Sequence, residues 1–537
     1  MAPLSHWALA AFFLPASVYG HPGNSKLPTA VIDSGKLVGT TTTLPSATAA
    51  VNQFLGVPFA APPVRFSKPE KPKKWRQERT AQAYGPACIQ QFSGTGPTAD
   101  FTRNVFNNPA PKESEDCLFL NVFAPTGEPP KGGFPVMFWM YGGGLAFGNG
   151  GQPAYDGSWF AGFEDVIVVT INYRTNIFGF PGSTELKVTE RNLGFYDQRL
   201  ALDWVQRNIK AFKGDPKKVT IFGESAGAVS VDALVTSYAK NAPFRAGIMQ
   251  SGQVSFGRSR TADSTGNWAK LAELLNCTGS ALACIRKAPV LTVKDIIEKN
   301  SLSFSPVVDN TTLVSDPAGR RARREIADVP ILFGSNAQEG RVYSIGQNNL
   351  TAYLQTTFQV PALMDAVRAA YPRGVAGLNT DYDIISAIYT DLIFTCPGAK
   401  VANASEAAGY NTWRYLYAGN FPNLNAKELI GIDLQAFHSA EIKMVFSTYG
   451  NTTSPDNNGS TAQQEALSNY MRGAWANFAR NPLAGPGWNR LGTFNGTALG
   501  VLGLGDSAGV ELKESRYADS RCAVFQPVYD RANPTSG

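Results

Sequence analysis

Short apolar runs recur along the chain between segments with a helical pattern. Most of the runs are continuously apolar rather than alternating, which is typical of parallel strands buried on both faces. They span Val136–Met140, Val166–Ile171, Val219–Phe222, Gly247–Met249, Ile331–Phe333 and Trp413–Tyr417. The segments Asn192–Phe212 and Ala228–Tyr238 are predicted helices between them. The alternation predicts an α/β fold in which helices flank a mostly parallel sheet.

The composition fits a large globular protein. Of the 537 residues, 43% are hydrophobic and 17% are charged, which excludes wholesale disorder. Length alone would suggest several domains. The net charge of +6 is small and spread along the chain, so no nucleic-acid partner is expected. We interpret the basic clusters at 68–74 and 320–324 as solvated faces rather than binding patches.

The N-terminus has the pattern of a targeting segment. Trp7–Tyr19 is apolar and is followed by the small residue Gly20, which predicts a signal peptide over residues 1–20 and a secreted chain that starts near His21. The alternative is a short membrane anchor, although the run is shorter than the ~20 apolar residues that span a bilayer. The C-terminal residues Asn533–Gly537 include no hydrophobic tail, so we expect no stable membrane anchor.

Export changes how the cysteines and asparagines are interpreted. In an oxidising compartment all six cysteines can pair, although their spacing leaves 15 connectivities open. No CxxC pair occurs, which argues against zinc or thioredoxin-type redox chemistry. The cysteines are Cys88, Cys117, Cys277, Cys284, Cys396 and Cys522. Asparagines in Asn-x-Ser/Thr sequons predict glycosylated surface loops, and they are Asn276, Asn310, Asn349, Asn403, Asn451, Asn458 and Asn495.

The candidate chemistry is concentrated at a Gly-x-Ser-x-Gly motif around Ser225. The motif directly follows the predicted strand Val219–Phe222 and begins a helix, which is the setting of a nucleophile elbow. The flanking Gly223 and Gly227 allow neighbouring segments to approach closely. We therefore predict that Ser225 is a nucleophile and that the Ala226 N–H faces developing negative charge. The alternative is an ordinary tight turn.

A nucleophilic serine needs an oxyanion site and a base. Three glycines follow the predicted strand Val136–Met140, and we expect the N–H groups of Gly143 and Gly144 to complete the oxyanion hole with Ala226. The chain has only three histidines, which leaves little room for a histidine-rich metal site, and we expect no metal or cofactor. Because His6 and His21 belong to the signal segment and its end, His438 is the only histidine left to act as the base.

These motifs together resemble the type-B carboxylesterases, the family that includes fungal lipases, animal carboxylesterases and cholinesterases. The resemblance covers nearly the whole mature chain, which looks like a secreted fungal carboxylesterase of this family. It implies one α/β-hydrolase catalytic domain over residues 21–537 and a small-molecule ester as substrate. The further segments that carry it are Phe54–Ala60, Glu115–Val122, Asn172–Arg174 and Ala201–Val205.

The resemblance also assigns the remaining site residues. The segment Gly334–Gly340 is similar to the family segment whose acid orients the histidine, which makes Glu339 the candidate acid. Phe437–Glu441 resembles the histidine loop. The resulting order of serine, acid and histidine is that of α/β-hydrolases. The implied disulfides are Cys88–Cys117, Cys277–Cys284 and Cys396–Cys522.

The first of these disulfides closes a loop that overhangs the active site in relatives. Residues 89–116 contain Phe92, Phe101 and Phe106 but no tryptophan, which argues against choline specificity. The loop is rich in Gly, Pro, Asn and acidic residues rather than amphipathic, which favours an esterase of soluble esters over a lipase. The triacylglycerol lipase stays the alternative within the family, and peptidase or thioesterase chemistry would use the same residues.

A different class of function is also compatible with the resemblance. The family includes adhesion proteins that keep the fold and lose a catalytic residue, so the alternative is a non-catalytic binding module. Three positions depart from the family pattern: Lys213 stands where Gly or Arg is usual, Gln338 replaces an acid and Leu145 replaces a common Phe. None of the three removes a catalytic group.

Overall fold

The computed structural model describes residues 27–256, 262–375, 377–425, 427–450, 460–493 and 496–532. The predicted signal peptide over residues 1–20, His21 and the C-terminal residues 533–537 lie outside the described residues. The sequons that begin at Asn451, Asn458 and Asn495 start outside them as well.

The strands form one large sheet and one small sheet. The large sheet has 11 strands in the order β14-β13-β12-β11-β10-β9-β7-β8-β6-β4-β3, and the small sheet has the order β1-β2-β5. The bounds are β1 Thr29–Ile32, β2 Gly35–Val38, β3 Thr40–Thr42, β4 Val51–Pro58, β5 Arg79–Thr80, β6 Phe119–Pro125, β7 Phe134–Met140, β8 Ile167–Ile171, β9 Gly214–Glu224, β10 Ala246–Gln250, β11 Ile331–Asn336, β12 Thr412–Tyr417, β13 Leu499–Leu502 and β14 Val510–Lys513.

The centre of the large sheet is parallel and its margins are antiparallel. The strands in the run β13-β12-β11-β10-β9-β7-β8 pair parallel with one another. At the margins, β14 pairs antiparallel with β13, and β6, β4 and β3 follow β8 in antiparallel pairs. Parallel strands need crossover connections, and the helices supply them. Because the carboxyl ends of the parallel strands share one edge, the segments after β7, β9 and β11 can meet there.

The helices lie between and beyond the strands. A π-helical turn, Thr390–Thr395, joins α12 to α13 in one continuous run, and short 3₁₀ turns occur at Pro153–Tyr155, Val188–Glu190, Ile209–Phe212, Glu339–Arg341 and Cys522–Phe525. The α-helices are α1 Pro97–Phe106, α2 Ser158–Glu164, α3 Asn176–Gly179, α4 Leu193–Asn208, α5 Ala226–Ser237, α6 Ser264–Leu274, α7 Ala281–Lys287, α8 Val290–Lys299, α9 Pro317–Ala322, α10 Leu350–Phe358, α11 Pro361–Ala370, α12 Asp381–Tyr389, α13 Cys396–Ala407, α14 Lys427–Ile430, α15 Ile442–Val445, α16 Ala462–Arg480, α17 Arg516–Asp519 and α18 Gln526–Ala532.

The core lies on both faces of the large sheet. Adjacent residues of one strand belong to different buried clusters. Phe138 and Ile221 belong to one cluster, and their neighbours Trp139 and Phe222 belong to the other. This follows from the alternation of side chains along a strand. All four side chains are fully buried, which explains why these strands are continuously apolar in the sequence.

The predicted α/β architecture is confirmed. Each of the six predicted strands is present, and the predicted helix at 192–212 is α4 followed by a 3₁₀ turn. By length and composition alone, the helical run Asp381–Ala407 could cross a bilayer, but 78% of its apolar window is buried within the protein. A buried core helix has the same pattern, so this run is weak evidence for a membrane span.

Candidate active site

The Gly-x-Ser-x-Gly motif forms a sharp turn between β9 and α5. Ser225 occupies this turn with φ 55° and ψ −121°, a conformation that costs energy for any residue with a side chain. A Cβ on Gly223 would lie 2.6 Å from the Met140 carbonyl oxygen, and one on Gly227 would lie 1.9 Å from it. Both glycines are therefore required by the close approach of the elbow to the end of β7. The Ser225 hydroxyl is left half-buried at the carboxyl edge of the sheet.

The triple-glycine loop lies directly beside Ser225. A Cβ on Gly142 would be 3.0 Å from the Ser225 Cβ, so the loop can pass this close only without a side chain. Gly143 and Gly144 have φ 96° and 62°, and a Cβ on Gly144 would meet nothing within 4 Å. The loop thus lines open space next to the serine. Ala226 is the first residue of α5, where the N–H groups have no intrahelical acceptor.

Glu339 holds His438 through a short hydrogen bond. Glu339 begins a 3₁₀ turn after β11 and is fully buried. Its Oε2 lies 2.6 Å from Nδ1 of His438, while its Oε1 accepts hydrogen bonds from the Asn336 N–H at 2.7 Å and the Ser251 hydroxyl at 2.5 Å. Three contacts fix the carboxylate, so it can orient the imidazole. His438 is 4% exposed.

The opposite ring nitrogen of His438 faces a second carboxylate that the sequence analysis missed. Nε2 lies 3.2 Å from Oε1 of Glu224, the residue that precedes Ser225. The same Oε1 accepts a 2.6 Å hydrogen bond from the Ser439 hydroxyl. The elbow and the histidine loop therefore meet through side chains adjacent to both predicted catalytic residues. In the sequence, the signal that could have identified Glu224 is a glutamate at the end of the apolar strand β9.

A third buried carboxylate, Glu441, completes the cluster. It accepts hydrogen bonds from the Gln250 and Asn336 amides at 3.0 and 2.5 Å. Burial raises the pKa of Glu441. Burial also raises the pKa of Glu224 to about 8, although the positive charge of protonated His438 lowers it. Burial lowers the pKa of His438, but the carboxylates of Glu224 and Glu339 outweigh it and raise the pKa to about 9. The protons of Glu224 and His438 are thus coupled.

Aromatic side chains surround the imidazole. The rings of Phe394 and Tyr343 lie 4.7 and 5.3 Å from that of His438. The sequence analysis did not identify Tyr343, and burial raises the pKa of its phenol well above the ordinary value. Nε2 of His438 makes no hydrogen bond within the described residues.

The disulfide-closed loop forms another wall near the site. It contains helix α1, which the sequence analysis did not predict, and the fully buried Phe101 of this helix packs against Phe437 at 5.8 Å between ring centroids. Phe92 stacks on Phe147 at 4.7 Å, and Phe106 lies 6.4 Å from the same ring. All three phenylalanines of the loop therefore pack inward on other rings.

The structure shows the disulfides and the positions of the three residues that depart from the family pattern. All six cysteines pair as the resemblance implies: Cys88–Cys117, Cys277–Cys284 and Cys396–Cys522.

Lys213 has φ 66°, a conformation that favours glycine, and its ammonium donates to two carbonyls. Gln338 bonds both backbone groups of Ala436 and so ties the acid turn to the histidine loop. Leu145 has φ 57° and is 7% exposed.

The described sequons lie at the surface. The asparagines are all exposed, although two of them use their side-chain oxygens locally: Asn349 caps α10 by accepting from the Ala352 N–H, and Asn310 accepts from the Ser315 N–H. The exposed positions are Asn276, Asn310, Asn349 and Asn403.

Comparisons with known proteins agree on one family. A model described as the carboxylesterase family matches residues 26–506. The chain is 33% identical to para-nitrobenzyl esterase of Bacillus subtilis (strain 168) over 469 residues, which cover 83% of this chain and 88% of that protein. It is 31% identical to acetylcholinesterase of Bungarus fasciatus over 519 residues, with 89% and 82% covered. Carboxylesterase 5A of Mus musculus is 33% identical over 457 residues, with 80% and 77% covered.

The solved structures agree with the sequences. A structure of PNB esterase superposes with a TM-score of 0.74 at 29% identity and covers 93% of this chain and 99% of that chain. The fold is therefore an α/β-hydrolase fold, a large mostly parallel sheet flanked by helices.

Proposed function

We propose that Ser225, Glu339 and His438 form the catalytic triad of this chain. The premise is that the chain belongs to the carboxylesterase family and is a carboxylic ester hydrolase. The observation that carries the proposal is the 2.6 Å contact between Glu339 Oε2 and His438 Nδ1 beside a serine with φ 55°. A strained, half-buried serine next to a carboxylate-held imidazole suits acyl transfer.

The proposed first half of the reaction forms an acyl-enzyme. Ser225 Oγ attacks the ester carbonyl carbon as its proton passes to His438 Nε2, and the N–H groups of Gly143, Gly144 and Ala226 stabilise the oxyanion. The C–O bond to the alcohol then breaks, and His438 protonates the departing oxygen. Glu339 holds the imidazolium throughout this sequence.

Water completes the reaction. It attacks the acyl carbon, gives its proton to Nε2 of His438, and the C–Oγ bond breaks as that proton returns to Ser225. The acid product leaves, and the free Ser225 hydroxyl and neutral His438 of the resting enzyme are restored.

Labelling by a fluorophosphonate tests the serine assignment. We expect the folded protein to be modified at Ser225, which peptide mass spectrometry identifies, and Ser225→Ala to remain unlabelled. Heat-denatured protein is the matched control, because it should not react. Labelling at another residue, or none in the folded protein, would refute the assignment and favour a binding module.

We place soluble esters ahead of triacylglycerols as substrates. The support is helix α1, whose Phe101 is fully buried against Phe437 rather than presented to an oil surface. A panel of p-nitrophenyl esters from acetate to palmitate is the measurement. Short chains should be preferred, with no jump in rate above the solubility limit; a jump there would favour the lipase.

We also propose that the chain is secreted and that residues 21–537 form one catalytic domain after a removed signal over residues 1–20. Three disulfides with no free cysteine in the described residues support an oxidising compartment. One sheet that runs from β3 to β14 supports a single domain. N-terminal sequencing of the exported protein tests the cleavage site, and a mass decrease on treatment with an N-glycosidase tests the sequons.

A further inference from the structure

Two tyrosines at the carboxyl edge of the sheet hydrogen-bond each other's backbone. Tyr141 directly follows β7, and Tyr173 lies just beyond the neighbouring parallel strand β8. The Tyr173 hydroxyl donates to the Tyr141 carbonyl at 2.7 Å, and the Tyr141 hydroxyl donates to the Tyr173 carbonyl at 2.8 Å. The two rings stack at 4.3 Å with 13° between their planes, and both side chains are fully buried. The ends of the two strands are therefore joined by side chains as well as by the sheet.

The triple-glycine loop, residues 142–148, rests on Tyr141 at both ends. The loop begins directly after Tyr141 in the chain. At its other end, a Cβ on Gly148 would lie 2.4 Å from the Tyr141 ring, so the backbone there packs directly against that ring. A shift of Tyr141 would consequently be passed to the N–H groups of Gly143 and Gly144, which lie between the two ends.

Tyr173 is itself held firmly on both sides. Asn172 accepts a 2.8 Å hydrogen bond from the Gly150 N–H, and Arg174 forms a buried ion pair with Asp197 at 2.8 Å. Both neighbours of the tyrosine are buried. Because this segment is fixed to the surrounding structure, it can serve as a rigid support for the triple-glycine loop.

We propose that Tyr173 is a positioning residue for the oxyanion hole, because its hydroxyl holds the Tyr141 carbonyl and so keeps the N–H groups of Gly143 and Gly144 aimed at the substrate oxygen. The inference rests on the proposed function. Donors fixed in advance stabilise the oxyanion best, since they need no rearrangement when the charge develops. Without the phenol hydroxyl, the buried Tyr141 carbonyl loses this donor, which is costly away from water, and the loop should relax.

Tyr173→Phe tests the proposal, because it keeps the stacked ring and removes only the hydroxyl. The readout is kcat/KM for p-nitrophenyl acetate divided by kcat/KM for its thiono analogue, in which sulfur replaces the carbonyl oxygen. Donors placed for an oxyanion stabilise the larger sulfur anion less, so the wild type should prefer the oxygen ester. We expect the variant to lose about 10-fold to 100-fold on the oxygen ester and less than about 3-fold on the thiono ester. A merely structural role would lower both rates equally and leave the ratio unchanged.

Tyr529→Phe is the matched control. The Tyr529 hydroxyl is also buried and donates to a backbone carbonyl, that of Leu392 at 2.8 Å, but Tyr529 belongs to a separate core cluster. This variant should lose a similar amount of stability in denaturant unfolding while its ratio of rates stays at the wild-type value. Because both substrates are compared on the same folded molecules, partial unfolding of a variant does not alter the ratio.

Two results would overturn the proposal: an unchanged ratio in Tyr173→Phe, or an equal fall of the ratio in Tyr173→Phe and Tyr529→Phe. Failure of the proposed function would be seen separately in the wild type. It would appear as protein that the fluorophosphonate does not label at Ser225, or as an enzyme that does not prefer the oxygen ester.

Discussion

Replacing Glu224 by Gln should move the acid limb of the pH–rate profile to lower pH. Glu224 Oε1 lies 3.2 Å from His438 Nε2, and His438 must be neutral to accept the serine proton. An ionised Glu224 stabilises the protonated imidazole and so raises its pKa. The substitution keeps the side-chain size and removes that charge, so the pKa of His438 should fall and the neutral base should persist at lower pH.

The size of this shift can be bounded from the distance. At 3.2 Å and an effective dielectric constant of about 20, the attraction is about 5 kcal/mol, which corresponds to about 4 pKa units if Glu224 were always ionised. Burial raises the pKa of Glu224 itself to about 8. It is therefore only partly ionised at neutral pH, and we expect the acid limb to move by roughly 1 to 2 units.

The assay is kcat/KM for p-nitrophenyl acetate against pH, read at the wavelength where p-nitrophenol and its anion absorb equally. Glu441→Gln is the matched control, since Glu441 is equally buried but contributes least among the carboxylates that raise the pKa of His438. It should move the limb less. An acid limb that stays in place or moves to higher pH in Glu224→Gln would refute the reasoning, and equal shifts in both variants would show a general effect of buried charge.

The remaining predictions concern the triad and the loop beside it. Ser225→Ala or His438→Ala should lower turnover at least about 10³-fold, because triad members act as a unit; unchanged hydrolysis in either variant would refute the assignment. Glu339→Gln should lower kcat by about 10²-fold to 10⁴-fold, since the imidazole loses its charged partner. Replacing both Cys88 and Cys117 by Ser opens a loop of 29 residues and should cost about 3 to 4 kcal/mol of stability in the loop-entropy model, measured by denaturant unfolding; an unchanged midpoint would contradict it.

The sequence predicted the centre of the sheet because burial on both faces leaves a continuous apolar run. It was less successful at the margins: β4 and β6 overlap the segments Phe54–Ala60 and Glu115–Val122, which indicate the family and were not predicted as strands. The nucleophile helix was predicted from Ala228, but α5 begins at Ala226, directly after the strained serine. Helix α1 was missed because glycine, proline and asparagine surround it in the sequence.

The parts of the site that the sequence could not predict depend on contacts between distant segments. Glu224 meets the histidine loop across 215 positions through Ser439, and no local pattern encodes that distance. Even within the family motif, the sequence showed that a glutamate precedes Ser225 but not that its carboxylate would reach the imidazole. The contact partner of Glu224 depends on how the end of β9 and the loop after β12 converge, and only the folded sheet determines that arrangement.

The π-helical turn Thr390–Thr395 shows the same dependence on tertiary structure. It interrupts a run whose residues would otherwise continue as an α-helix, and π-turns of this kind are frequent at functional sites. The Thr390 hydroxyl accepts a 2.8 Å hydrogen bond from the Gly340 N–H, next to Glu339, while Phe394 packs on His438 at 4.7 Å. One turn thus contacts both the acid segment and the base. Because these contacts join residues far apart in the chain, the helix pattern alone could not have located the turn.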